Sequence, residues 1–66
     1  MNANESLMLN KIRVKALMKN VIFYCIEGLD GYVIWIDSQR IPGTFNSIKE
    51  VEEFWMQFSS EIFGDI

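Results

Sequence analysis

The feature that most constrains this chain is a pair of apolar runs with no polar phase. Val21-Ile22-Phe23-Tyr24-Cys25-Ile26 and Tyr32-Val33-Ile34-Trp35-Ile36 stand on either side of Gly28-Leu29-Asp30-Gly31. β-Branched and aromatic residues dominate both runs, which predicts strands, and the Asp-Gly pair between them tolerates the positive φ of a tight hairpin turn. A strand with one dry and one wet face alternates apolar and polar side chains. These two do not, so both faces of the sheet they form demand cover. A second turn at Asp37-Ser38-Gln39 leads into Arg40-Ile41-Pro42-Gly43-Thr44-Phe45. Because Pro42 cannot donate to a ladder, this third strand is expected at an edge or with a bulge at Gly43. The middle of the chain thus reads as a three-stranded antiparallel meander.

Downstream of it, Ser47 followed by Glu50 forms a capping box that starts a helix at Ile48. Ile48, Val51, Trp55, Phe58 and Ile62 share one face at helical spacing, Phe54 widens the stripe, and Gly64 ends the helix. Met56 and Phe63 fall on a flank outside the stripe, near Glu52 and Ser59. Upstream, residues 3–19 can be read two ways. Lys11 to Ala16 alternates polar and apolar as a strand does, while the abundance of Glu, Leu, Met, Lys, Arg and Ala favours a helix with Asn20 as a left-handed end. Propensity over the whole segment favours the helix. Wrapped on it, Leu7, Val14, Leu17 and Met18 lie on one side and Met8, Leu9, Ile12 and Ala16 on the other, with Lys11, Lys15 and Lys19 between. The expected fold is a single α+β domain over residues 1–66, in the order αβββα. The C-terminal helix covers one sheet face, and the N-terminal segment either covers the other or leaves it to another chain.

Size and inventory then exclude most chemistry. A chain of 66 residues holds one small core and buries only about 60% of its unfolded surface, leaving no room for a dinucleotide fold, a kinase or a barrel. It has no histidine and one cysteine, too few ligands for a zinc site or a disulfide framework. Cys25 lies mid-strand without a base beside it and reads as a small core hydrophobe. Glu27, Asp30 and Asp37 sit at turns, Glu50, Glu52 and Glu53 at a helix start that favours anions, and Gly28, Gly31 and Gly43 form no phosphate loop. We expect no enzyme and no cofactor. There is neither a membrane-length apolar run nor the h-region of a signal peptide, so the expectation is a cytoplasmic protein with a reduced thiol and no membrane partner.

Charge is divided along the chain. Residues 1–20 carry Lys11, Arg13, Lys15 and Lys19 against Glu5, a net +3, while residues 21–66 sum to −6, giving −3 in all. Those four cations next to aromatic strands support one alternative, a small nucleic-acid-binding domain. The acidic body and the sheet without a polar phase favour a protein partner, or a second copy of the chain, instead. Met56, Phe63, Glu52 and Trp35 are the candidate contact residues.

Two local resemblances accompany these patterns. Gly31-Tyr32-Val33-Ile34 and the stretch Ile41-Pro42-Gly43-Thr44-Phe45-Asn46-Ser47-Ile48-Lys49-Glu50 resemble HicB-type antitoxins, in which a similar strand precedes a Pro-Gly turn and a helix with an acidic start. The Gly-Thr-Phe-Asn-Ser segment is also similar to APETALA2-type DNA-binding domains. The likeness covers about a third of the chain. It lacks the strand that follows the last helix in the first family and the Arg-rich strand face of the second, so the chain is assigned to neither. The first resemblance implies a small acidic protein that neutralises another. Together these features lead us to expect a non-enzymatic inhibitor or regulator of a macromolecular partner, of the antitoxin-like kind that phages and mobile elements encode.

Overall fold

A computed structural model describes residues 2–64 and has the order α1 (Ala3–Met18), β1 (Phe23–Gly28), β2 (Gly31–Ile36), β3 (Gln39–Arg40), α2 (Ile48–Phe63). The αβββα arrangement is therefore as expected, and residues 3–18 are helix. Asn2 caps α1 through its side chain, which accepts from the Glu5 N–H, while the Glu5 carboxylate accepts from the Asn2 N–H. At the other end Asn20 has φ +61, the Val21 N–H donates to the Ala16 carbonyl, and the Asn20 N–H donates to the Leu17 carbonyl. This pair of bonds is a Schellman motif, and the buried Ala16 and Val21 supply the apolar contact that accompanies it.

The sheet order is β1-β2-β3, antiparallel throughout. Its first turn is the tight hairpin expected, with the positive φ on the glycine of the Asp-Gly pair. Leu29 and Asp30 are not among the residues with positive φ, and Gly31 alone of the turn takes it, at φ +134. The true mirror-image turn is the second one, where Asp37 and Ser38 have φ +51 and +69 between the paired Ile36 and Gln39. Asp37 also fastens the start of β1, since its carboxylate accepts from the Ile22 N–H at 2.9 Å and its own N–H donates to the Ile22 carbonyl. The third strand is shorter than the run 40–45 suggested. It pairs over Gln39–Arg40, gives way at Pro42 and Gly43, and rejoins as a single bridge between Phe45 and Tyr32. Proline's missing N–H and the left-handed Gly43, at φ +85, account for the interruption.

Both helices lie on the same face of the sheet. The core comprises Ile12 and Ala16 from α1, Val21, Phe23, Tyr32, Ile34 and Ile36 from the sheet side, and Ile48, Val51 and Trp55 from α2. Alternation along β1 and β2 places every one of these strand residues on one face. Phe23 meets Trp55 edge to face at 5.7 Å, and Phe45, Phe54, Phe58 and Phe63 continue the aromatic contacts along α2. The buried face of α2 passes through Ser59, whereas Ile62 is 62% exposed despite its matching phase. Phase alone does not bury a residue, and Ile62 lies in the final turn. Ser47 caps α2 as expected, accepting from the Glu50 N–H, but the Glu50 carboxylate reaches past it to the Asn46 N–H.

Candidate interaction surfaces

With both helices on one side, neither α1 nor α2 covers the other face of the sheet. Its outward positions are Tyr24 and Ile26 on β1 and Val33 and Trp35 on β2, paired across the ladder as Tyr24 with Trp35 and Ile26 with Val33. Ile22, just ahead of β1, extends the patch. Ile22 is 63% and Tyr24 58% exposed, while Val33 and Trp35 are half-buried. Arg40, opposite Trp35 on β3, brings a charge to this face at its β3 margin. A strand with no polar phase produces this result directly, because residues of the same character fill both faces and the helices can reach only one.

The second surface is a groove of about 1030 Å³ between α1 and α2, on the far side of the protein from the open sheet. Leu7, Met8 and Ile12 from α1 meet Trp55 and Met56 from α2 to form an apolar floor. Lys11 and Lys15 stand on the α1 side and Glu52 and Glu53 on the α2 side, so the rims carry opposite charge. Beyond the groove, the outer side of α1 presents Val14, Leu17 and Met18 to solvent, on the side that the helical projection separated from Ile12 and Ala16, and Leu7 of that same side reaches into the groove.

The sequence-predicted contact residues divide between these surfaces. Met56, 64% exposed, and the half-buried Glu52 meet in the groove, while Trp35 belongs to the open sheet. Phe63 is half-buried at the end of α2, packed against the core, edge-on to Phe58 at 6.2 Å and 5.7 Å from the Lys19 ammonium. The four cations do not share one surface either. Lys11 and Lys15 border the groove, Lys19 lies over Phe63, and Arg13 donates to the Asn10 side chain beside a small cleft against β1. Sequence reasoning missed Ile22, Tyr24, Ile26 and Val33 as surface residues. The split apolar character of α1, which lets that helix pack beside α2, was the signal for them.

Cys25 lines the small cleft, and its burial pushes the thiol up to about 11, away from the reactive thiolate. Burial also raises the Tyr32 phenol, with Glu27 and Glu5 adding to the effect. Among the described residues no group of three or more His, Cys, Asp or Glu is placed to hold a metal ion, and no helix is long and apolar enough to cross a membrane. In comparisons with known proteins, the chain matches no family model, and no curated protein or solved structure shows significant similarity to it.

Proposed function

We propose that the protein acts without catalysis, by binding another protein through the α1–α2 groove and so inhibiting or regulating it. The observation that carries this reading is the groove itself, an apolar floor between rims of opposite charge. Such a surface suits an amphipathic helix or an extended segment, whose apolar side chains fill the floor while its charges select the register. Met56 and Glu52, singled out by their place off the helix stripe, both contribute to it. Nucleic acid draws less support, because Lys11 and Lys15 face acidic residues across the groove, and Arg13 and Lys19 are engaged elsewhere.

The test is affinity capture from the native host with and without nuclease. Wild-type protein should retain a partner after nuclease treatment, and Met56→Asp or Leu7→Asp should release it while circular dichroism remains unchanged. Both residues are exposed enough to accept the charge without unfolding the chain. Capture that disappears with nuclease, or that survives both substitutions and fails on Lys11→Glu with Arg13→Glu, would overturn the proposal in favour of nucleic-acid binding.

A further inference from the structure

We propose that the open face of the sheet is the interface of a symmetric homodimer, in which two copies stack sheet against sheet and carry their helices on the outside. The groove between α1 and α2 lies on the opposite side and stays open in such a dimer, so this inference does not depend on the function proposed for the groove.

Two observations and one general argument select a second copy as the occupant. Charge comes first. The chain carries nine acidic residues and six basic ones, yet the outward positions Ile22, Tyr24, Ile26, Val33 and Trp35 hold none of them. A two-fold interface brings each patch against itself, so a face that bore several like charges would repel its twin. This one does not, and Arg40 lies at the β3 margin, where it can remain in water.

Area and composition come next. The five side chains expose on the order of 500 Å² per copy, so a symmetric pair buries about 1,000 Å² before its rim is counted, which meets the lower bound for a specific interface. Homodimer interfaces are more apolar than those of transient partners, with aromatic residues enriched at their centre. The cross-strand pair Tyr24 and Trp35 lies across β1 and β2 in the patch.

Stoichiometry supplies the general argument. A small domain with a modest core gains stability from any partner that binds only the folded state, and the partner present at the same concentration as the chain is the chain itself.

Sedimentation equilibrium on the full chain tests the proposal. Between about 1 and 500 μM the wild type should reach about twice the 7.7 kDa of one chain. Tyr24→Asp should weaken association at least 100-fold with the far-ultraviolet spectrum unchanged, and Val14→Asp, on the exposed outer side of α1, should leave it unaltered. Should Tyr24→Asp fail to fold, the wild type suffices. Dilution of labelled protein should then shift backbone resonances at residues 22–26 and 33–35 and leave those of α1 in place. A monomer throughout the range, a dimer broken by Val14→Asp but not Tyr24→Asp, or dilution shifts confined to α1 would each overturn it.

Discussion

Gly31 is the position at which a single side chain would do most local damage. Its φ is +134, and a Cβ built there would stand 2.6 Å from the Phe45 carbonyl oxygen, the acceptor of the 2.7 Å bond from Tyr32. Gly31→Ala must therefore strain the backbone and push apart the one bridge that rejoins the third strand, at a cost of about 3 kcal/mol. Gly43 has φ +85 but open space around it, so Gly43→Ala should cost only about 1 kcal/mol. Denaturant melts of the two variants should show that order. Cys25 gives a prediction in pH. Its thiol titrates near 9.0 when exposed and near 11 in the folded chain, so the folded state retains a proton that the unfolded state has lost. The stability this contributes is complete below about pH 9 and disappears as pH rises through about 11. Urea melts of wild type and Cys25→Ala at about pH 8 and pH 10.5 should show a smaller decline in the variant. Part of the decline should persist, because the raised Tyr32 phenol acts in the same direction.

Element boundaries follow from capping and turn chemistry, and here the sequence was most legible. Ser47, Gly64 and Asn20 mark helix ends that the structure has at those residues, because each acts through its own backbone and its immediate neighbours. The positive φ of the second turn was less legible. Asp-Gly at residues 30 and 31 is the stronger turn signal, yet the mirror-image turn falls at Asp37 and Ser38, where ladder register and the Asp37 bond to Ile22 override residue preference. Ser38→Gly would relieve a left-handed side-chain residue and create an Asp-Gly turn. We expect a gain of about 0.5 kcal/mol and a rise of a few degrees in Tm, read by calorimetry. In α2, Ser47→Ala should cost about 1 kcal/mol through the lost cap, and Trp55→Ala about 4 kcal/mol, because Trp55 packs on Phe23 and Phe58. Ile62→Asp should be close to neutral in the same melts. An eroded core in that variant would mean that the final turn packs more closely than its 62% exposure indicates.

For the whole molecule the decisive fact is that both helices occupy one face of a sheet whose strands are apolar on both. Local patterns announced the mismatch, since the runs 21–26 and 32–36 have no polar phase, but they did not announce which face would stay bare. That choice depends on a contact between two distant segments. Ile12 and Ala16 give α1 a narrow buried strip that fits beside Trp55 and Val51 of α2, and the short Asn20 turn feeds directly into β1. The candidate surfaces were correspondingly half legible. Met56 and Glu52 follow from helix phase, and Trp35 from the run that contains it, whereas Tyr24 and Ile26 become surface residues only once α1 is placed. The most direct test of this account is an isotope-filtered NOE spectrum of a mixed sample, half of it carbon-13 labelled. The Trp35 indole should show contacts to Tyr24 and Ile26 of the other protomer and none to methyl groups of α1. Contacts from Trp35 to the methyl groups of Leu7, Val14 or Leu17 that appear in an unfiltered spectrum and vanish under the filter would lie within one chain and contradict it, because they would place α1 over the face that stays open.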